Sequence, residues 1–485
     1  MIERRNERES ALDHAPAITH RMPLVDAPPA ASCAISVVIP ARNEAGSVLT
    51  SLAALAEQRG LDGRPFPRAT YEVILLANNC QDQTAQVARS LAARAPDFAL
   101  HVVEVALPPA LAHVGFARRL AMDEAHRRFA AIRHPWGVIA TTDADTVVAP
   151  TWLAATLREV ERGADVVSGR ILMNDYERQA MTPAVRRRYL YDVGYQALVN
   201  EVTAHIDPQP HDPWPHHHQF LGASMALTAS AYRRVGGLPV VRSSEDVALA
   251  RALCHADIGI RHSPDVRVST SGRLHGRAPG GMAATLAAWS ALGTQADHYD
   301  VPAASAMVAR ATGRRSLRDQ WQRIQAGVTT CPNELARLAE ATGVATPRLR
   351  EALQEHQRFG TLLEAVECVA TWPGSDAMSD VRVAIAELRA WLAARRRCSV
   401  PAQHQRQHRE PLVLPERPAI GSLRGTGYAL PLSALADAEP EAVQPFAPPH
   451  KWRSQPRVAS PRTAGAPSFL PAEQPCPMPA RPGLP

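Results

Sequence analysis

The sequence predicts an α/β protein built on a mostly parallel sheet, with helices packed on both faces of that sheet. Between about residues 34 and 170, short β-branched runs alternate with amphipathic helical segments. The runs are almost continuously apolar, as expected for strands that are covered on both sides. We predict strands at Ile35–Ile39, Glu72–Leu76, His101–Val105, Val138–Thr141 and Asp165–Val167.

Four helical segments are predicted after the first four strands. Apolar residues such as Val48, Leu52 and Leu55 recur at helical spacing in the first segment, and the second has a similar pattern. The third covers about residues 115–129, and the fourth begins at Pro150, a residue type favoured in the first turn of a helix. Because ligands bind outside the carboxyl ends of strands in such sheets, we expect the chemistry in the loops that follow the strands.

The chain divides into four predicted regions. Residues 1–32 are expected to form a flexible leader, and residues 33–282 an α/β catalytic domain. Residues 283–400 carry apolar side chains at helical spacing and predict a helical region. Residues 401–485 contain 18 of the 42 prolines and few large apolar residues, which predicts a disordered tail.

Composition favours a protein of the reduced cytoplasm. The net charge of +6 indicates a solvated, arginine-rich surface more than a nucleic-acid-binding protein. The seven cysteines are scattered and form no C-x-x-C pair, so neither a disulfide framework nor a zinc ribbon is expected. We find no signal-peptide pattern and no apolar run of about 18 residues. Peripheral membrane contact stays open.

Two acidic residues follow the fourth predicted strand directly, in the sequence Thr-Asp-Ala-Asp-Thr over residues 142–146. In extended backbone, Asp143 and Asp145 point to the same side. Carboxylates at the edge of a parallel sheet can hold Mg²⁺ or Mn²⁺, which keeps positions open for a diphosphate. An acidic turn that caps the next helix is the alternative for this pattern.

The loop after the first strand narrows the choice of family. It reads Pro-Ala-Arg-Asn-Glu over residues 40–44, without the G-x-G-x-x-G of a dinucleotide-binding domain or the glycine-rich loop of a sugar nucleotidyltransferase. A strand, P-x-x-N-E, a helix and a D-x-D about 100 residues later closely resemble family 2 glycosyltransferases. The resemblance covers roughly residues 34–280 and implies the A-type glycosyltransferase fold, a Rossmann-like mostly parallel sheet, and a nucleotide-sugar donor.

The resemblance also implies which residues bind the donor. Residues 77–84, Ala-Asn-Asn-Cys-Gln-Asp-Gln-Thr, are similar to the family's nucleotide-base loop, except that Ala77 stands where the family usually has Asp. Asn78 or Asn79 is expected to replace that Asp. Residues 115–118 resemble a G-x-A-R element that leads a helix toward the donor. The implied donor-binding residues are Pro40, Asn43, Glu44, Asn78, Asp82, Arg118 and Asp143.

The implied catalytic pair lies in the sequence Ser-Ser-Glu-Asp over residues 243–246. A Gly-Gly turn precedes this pair, as in the family's acceptor region. The resemblance makes Asp246 the general base that deprotonates an acceptor hydroxyl and makes Glu245 a residue that supports acceptor binding. Ser243 and Asp246 also have the spacing of a helix capping box, which is the structural alternative.

Residues 268–281 are rich in glycine and arginine and follow the catalytic pair. Arg273 and Arg277 have the planar, forked donors that bind phosphate oxygens. His275 is a candidate third metal ligand, together with Asp143 and Asp145, since a late histidine has this role in some A-type enzymes. A mobile surface loop is the alternative for this segment.

A histidine-rich loop, Asp-Pro-Trp-Pro-His-His-His over residues 212–218, has no nearby cysteine. Adjacent histidines in one loop cannot all bind one ion, so a zinc site is disfavoured. We expect this loop to line the acceptor cleft, with Trp214 as an aromatic face for a sugar or another ring.

We therefore expect a non-processive, metal-dependent, inverting glycosyltransferase that moves a sugar from a nucleotide-sugar donor to an acceptor hydroxyl. Non-processivity is expected because Gln320-Trp-Gln-Arg323 only partly matches the Q-x-x-R-W of processive members. A sugar nucleotidyltransferase and a non-catalytic nucleotide-sugar-binding protein are the alternatives. The sequence leaves open the sugar, the base, the acceptor and the oligomeric state.

Overall fold

A computed structural model describes residues 23–273, 282–293 and 298–398. Its main sheet has eight strands in the order β3-β2-β1-β4-β7-β6-β8-β5. The strands are β1 (Ile35–Ala41), β2 (Tyr71–Asn78), β3 (Leu100–Val105), β4 (Val138–Thr141), β5 (Val147–Val148), β6 (Val166–Met173), β7 (Met225–Thr228) and β8 (Ile260–Thr270). A separate antiparallel pair consists of β9 (Asp300–Pro302) and β10 (Met378–Asp380).

Strands β3, β2, β1 and β4 are parallel, as are β6 and β8. Strand β7 runs antiparallel to both β4 and β6, and β5 runs antiparallel to β8. The carboxyl ends of β1, β2 and β4 therefore meet at one edge, where we predict the site.

The helices of the sheet region are α1 (Val48–Ala56), α2 (Thr84–Arg94), α3 (Val114–Ala131), α4 (Trp152–Glu161), α5 (Asp175–Ala180), α6 (Pro183–Ile206), α7 (Ala229–Arg234) and α8 (Glu245–His255). They are followed by α9 (Met282–Ala291), α10 (Ala304–Gln325), α11 (Pro332–Thr342), α12 (Thr346–Glu355), α13 (Phe359–Glu367) and α14 (Val381–Cys398). Within the described ranges, no helix is both long and apolar enough to cross a lipid bilayer.

Helices cover both faces of the sheet because successive strand side chains point to opposite faces. On one face, Val37 belongs to a buried cluster with Leu52 of α1 and Trp152 of α4. On the other face, Val38 belongs to a second buried cluster with Phe129 of α3. The predicted α/β fold, with a mostly parallel sheet and helices on both faces, is confirmed.

Helix α13 is attached to α8 by close packing and capping. The carboxylate of Asp257, two residues after α8 ends, accepts hydrogen bonds from the backbone N–H groups of Phe359 (3.2 Å) and Gly360 (2.8 Å). A Cβ at Gly360 would lie 1.8 Å from the carbonyl oxygen of Cys254, so only glycine allows this approach. Helix α13 thereby stabilises the position of α8, the helix that begins with Glu245.

A buried ion pair fixes the carboxyl-terminal half of α3 to the sheet. Arg128 donates to Glu72 through Nε (2.8 Å) and Nη2, and Ser36 donates to the same carboxylate (3.0 Å). The side chains of Arg128 and Glu72 are 1% and 4% exposed. Burial raises the pKa of Glu72, but hydrogen bonds and charge from Arg128 and His101 outweigh that effect and lower it to about 2.

We predict that Arg128→Met lowers the free energy of unfolding by about 3–5 kcal/mol, because it leaves the Glu72 carboxylate buried without its cation. Urea unfolding followed by circular dichroism measures the change. The control is Arg89→Met, which breaks a pair with Glu104 in which both side chains are 53% exposed. We expect that change to be about 0–1 kcal/mol. Equal losses in the two variants would contradict the prediction.

The same pair predicts a loss of stability in acid. The pKa of Glu72 is lowered in the folded state, so its contribution is complete above the ordinary value of 4.5 and is lost as the pH falls toward about 2. We expect the thermal midpoint of the wild type to fall more between pH 4.5 and pH 2 than that of the double variant Glu72→Leu/Arg128→Met. Parallel pH profiles would show that the pair does not contribute.

Candidate active site

The first two loops at the sheet edge are joined by side-chain hydrogen bonds. Asp82 accepts from the backbone N–H groups of Ala45 (3.0 Å) and Thr84 (3.1 Å). Asn43, at a positive φ of 56°, accepts from the N–H of Gln81 at 2.7 Å. Asn43 and Asp82 thus shape the loops beside the site, with oxygens that are already hydrogen-bonded to the protein.

The two candidate base-binding asparagines differ in their surroundings. Asn79 donates to the carbonyl of Leu107 (2.9 Å) and accepts from its N–H (3.0 Å), so its amide holds the loop that follows β3. Asn78 is buried, and its Oδ1 has no hydrogen-bond partner. Pro40 lies within β1, opposite Leu76. Asn78 therefore differs from Asn79 in having an amide oxygen that no group of the protein satisfies.

Arg118 lies at the centre of the site, fully below its surface. Its guanidinium donates to Glu245 Oε1 (3.0 Å), Asp143 Oδ1 (2.8 Å), the Gly222 carbonyl (2.9 Å) and the Thr141 hydroxyl. Burial opposes the charge on Arg118, but the two carboxylates raise its pKa above the ordinary value. With four hydrogen bonds in use, at most one of its five N–H groups is left for a donor phosphate.

Gly222 is required beneath this arginine. A Cβ at Gly222 would lie 2.6 Å from Arg118 Nη2. The sequence analysis did not identify Gly222 or Thr141 as a partner of Arg118. A glycine adjacent to a buried arginine becomes recognisable only when both positions are known in space.

Asp145 belongs to a second, more open ion-pair cluster. Arg273 donates to both oxygens of Glu44 (3.0 and 3.2 Å), and its Nη2 lies 3.0 Å from Asp145. Burial and the charges of Asp143 and Glu44 raise the pKa of Asp145 to about 6, against the opposing effect of Arg273. Ser47 also donates to Glu44, at 2.7 Å. Three carboxylates from two loops therefore meet at this edge.

The acidic turn does not cap the next helix. The N-cap of α4 is Thr151, six residues beyond Asp145. The turn is held by Ser51 of α1, which donates to the Ala144 carbonyl at 2.9 Å. The aspartates are thereby available to the site, and the capping alternative is excluded.

The donor chemistry of this edge suits a hard divalent cation, since Asp143 and Asp145 offer carboxylate oxygens. Over residues 23–273, 282–293 and 298–398, no three His, Cys, Asp or Glu side chains form a group that could by itself hold an ion. Mg²⁺ is commonly held by one or two carboxylates, with water and substrate phosphates as its other ligands. The two aspartates match that requirement. The predicted third ligand His275 and the predicted phosphate ligand Arg277 lie outside the described residues.

Glu245 and Asp246 begin helix α8, next to the same cluster. The N-cap of α8 is Ser244 and not Ser243, and Ser244 has a left-handed φ of 59° and makes no side-chain cap, so the predicted alternative of a capping box between Ser243 and Asp246 is wrong. Asp246 Oδ2 accepts instead from the Gly222 N–H at 3.1 Å. Burial and the neighbouring Glu245 raise the pKa of Asp246 above its ordinary 3.8. A strained residue beside a buried carboxyl is typical of a functional site.

A cavity of about 420 Å³ adjoins this pair. It lies between β6, α6 and the histidine-rich loop, and Val247, the residue after Asp246, lines it. Helix α6 is not among the helices that the sequence predicts. Trp214 lines the cavity and is 48% exposed.

Residues 36–212 match the profile described as Glycosyl transferase family 2. The chain carries a family 2 glycosyltransferase domain. The predicted family and the predicted enzyme class are thus confirmed. No curated protein matches the chain.

Several solved structures are similar to this glycosyltransferase. The mannosyltransferase PcManGT from Pyrobaculum calidifontis, in complex with GDP-Man and Mn²⁺, is 18% identical with a TM-score of 0.36, over 82% of this chain and 87% of that one. S. aureus TarS 1-349 in complex with UDP-GlcNAc is 14% identical with a TM-score of 0.38, over 69% and 90% of the two chains. Glucosyl-3-phosphoglycerate synthase from Mycobacterium tuberculosis is 19% identical with a TM-score of 0.29, over 58% and 85%.

We predict that Arg118→Lys lowers the rate of sugar transfer about 100-fold. A single ammonium group cannot form the separate hydrogen bonds that position Asp143 and Glu245 relative to each other. Initial rates with a saturating donor measure the effect, and thermal unfolding checks that the variant is folded. The control is Arg89→Lys, which keeps an exposed pair with Glu104 and is expected to have wild-type rates. A folded Arg118→Lys protein with wild-type rates would contradict the role of Arg118.

Proposed function

We propose that the chain is a non-processive, metal-dependent, inverting glycosyltransferase that uses a nucleotide-sugar donor. One observation carries the proposal: Arg118 joins Asp143, in the turn after β4, to Glu245, at the start of α8. The residues proposed for the donor diphosphate and the residues proposed for the acceptor therefore belong to one cluster. A family 2 domain over residues 36–212 supports the same activity.

The donor nucleoside is proposed to lie against the loops that follow β1 and β2. Asn43 and Asp82 build this surface through hydrogen bonds to the neighbouring backbone. Asn78 has the unpaired amide oxygen that a base N–H could meet. This position supports Asn78 as the replacement for the Asp that the family usually has at Ala77.

Asp143 and Asp145 would hold Mg²⁺ or Mn²⁺, with His275 as the proposed third protein ligand. The bound cation would offset the negative charge that develops on the leaving nucleoside diphosphate. Arg273 is proposed to exchange its carboxylate partners for phosphate oxygens when the donor binds. Its side chain is 32% exposed, whereas that of Arg118 is 3% exposed, so Arg273 is the more accessible of the two.

Asp246 is proposed to accept the proton of the acceptor hydroxyl. A general base works best when its pKa is closer to the working pH, and burial shifts Asp246 in that direction. The Gly222 N–H orients one of its oxygens. Glu245, the residue before Asp246, is held in place by its ion pair with Arg118 and is proposed to help bind the acceptor. Attack by the deprotonated oxygen opposite the leaving group inverts the anomeric centre.

We also propose non-processive transfer, a cytoplasmic location and the boundaries of the four regions of the chain. Non-processive transfer rests on the partial Q-x-x-R-W match within α10. A cytoplasmic location rests on the scattered cysteines. The boundaries at residues 32, 282 and 400 are also proposed.

A thermal-shift screen of UDP-, GDP- and dTDP-sugars, with and without Mn²⁺, tests the proposed donor. We expect one donor with Mn²⁺ to raise the stability by about 2.7 kcal/mol at 100 times its Kd. Asp145→Asn should lose the Mn²⁺-dependent part of this shift. Asp246→Asn should keep the shift and lose transfer by about 10²–10⁴-fold, because only the proton acceptor is removed.

The matched control is Asp175→Asn, since Asp175 lies on the short helix α5 with its side chain 77% exposed. It should leave both the shift and the transfer rate unchanged. Full transfer by Asp246→Asn, or a metal-dependent shift that survives Asp145→Asn, would refute the corresponding role.

A further inference from the structure

The cavity beside the catalytic pair has polar groups that the protein itself leaves unsatisfied. Asp192 lies on α6 and lines the cavity; the residue is 2% exposed and its Oδ2 has no hydrogen-bond partner. Burial raises the pKa of Asp192 to about 6, against the opposing charge of Arg188. The Arg188 guanidinium lies over the rings of Tyr299 (3.9 Å) and Trp289 (5.1 Å). A buried carboxyl oxygen without a partner is costly, so a ligand that donates to it is favoured.

His217 lines the same cavity and supplies a hydrogen-bond donor, whereas Asp192 supplies an acceptor. Its Nδ1 accepts a hydrogen bond from the Gln219 N–H at 3.2 Å. A neutral imidazole that accepts through Nδ1 carries its proton on Nε2. That Nε2 is buried and has no hydrogen-bond partner at normal distance and angle.

Burial is also the main cause that lowers the pKa of His217 to about 3, with His262 and His218 acting in the same direction. The charge of Asp212 and the backbone of Ser263 oppose this shift. His217 is therefore a neutral donor at physiological pH and offers no positive charge to an anion.

One unpaired acceptor and one unpaired neutral donor match a hydroxyl group, which can both donate and accept. They do not match a phosphate monoester, which only accepts when ionised and would meet the negative charge of Asp192. Burial lowers the pKa of His218 to about 4, so it is neutral as well. The cation among the lining residues is Arg170, which is exposed.

The rest of the cavity wall is suited to an apolar group. Tyr189, Val193 and Phe220 line it, together with Met173 from β6. Trp214 adds an indole face at an exposed position, where rings of sugars or other molecules can stack. The cavity volume of about 420 Å³ is in the range of small-molecule sites.

We propose that this cavity binds the acceptor, and that the acceptor is an uncharged, hydroxyl-bearing molecule with an apolar portion. The hydroxyls meet Asp192 and His217, and the apolar portion lies against the aromatic and aliphatic wall. Val247 connects the cavity to Asp246, which is the general base of the proposed function on which this inference rests. A phosphorylated sugar or sugar acid is a poor match for the same groups.

Acceptor binding can be measured without a donor, by saturation-transfer NMR and equilibrium dialysis on the full chain. The probes are n-octyl β-D-glucopyranoside below its micelle concentration, methyl β-D-glucopyranoside and glucose 6-phosphate. We expect the octyl glucoside to bind most tightly and glucose 6-phosphate least tightly. Asp192→Leu and Trp214→Ala should each weaken octyl glucoside binding about tenfold, whereas Asp175→Asn should not change it.

A parallel donor thermal shift separates this proposal from the proposed function. Both cavity variants should keep the wild-type donor shift, because neither residue is at the donor loops. Tighter binding of glucose 6-phosphate, absence of octyl glucoside binding, or wild-type affinity in both variants would overturn the acceptor proposal. Absence of any donor shift in the wild type would refute the transferase proposal instead.

Discussion

The active site depends on one buried cation, Arg118. Its guanidinium is held by carboxylates that come from different parts of the chain, Asp143 after β4 and Glu245 at the start of α8. A buried arginine is stable only when its charge is compensated, and each buried carboxylate needs a cation for the same reason. The three side chains therefore fix one another, and through them the acidic turn is fixed relative to the proposed general base, Asp246.

Helix α3 connects the Arg118 cluster to the rest of the fold. It presents Arg118 to the site and, ten residues later, Arg128 to Glu72 of β2. At 1.5 Å per residue these two arginines lie about 15 Å apart along the helix axis. The helix is thus held at both ends by buried charge pairs, and its apolar face packs on the sheet between them. A shift of α3 along its axis would break both pairs at once, which explains how a packed helix can position a site accurately.

Local patterns predicted five of the eight strands of the main sheet, but they predicted neither β5, β7 and β8 nor every helix around the site. Strands such as Ile35–Ala41 are buried on both faces and are read directly from their apolar runs. Helix α6 was missed because it buries polar residues, including Asp192 and Gln196, so its sequence lacks a single apolar stripe. The difference between Asn78 and Asn79 was also not predictable, since it depends on contact with Leu107, 28 residues away. Order and spacing in the sequence are the basis for proposing the two acidic pairs, whereas the position of Arg118 between them depends on contacts across the fold.

The charge balance of the site gives a physical reason for a cation. Glu44, Asp143, Asp145, Glu245 and Asp246 contribute five carboxyl groups, and Arg118 and Arg273 contribute two guanidinium groups. An anionic diphosphate that entered this cluster would meet more negative than positive charge, even with Asp145 partly protonated near its pKa of about 6. Arg273 alone cannot resolve the excess, because moving it to the diphosphate removes it from Glu44 and Asp145. A divalent cation at the aspartates would compensate both the carboxylates and the incoming phosphates, which is the strongest electrostatic argument for the proposed metal dependence.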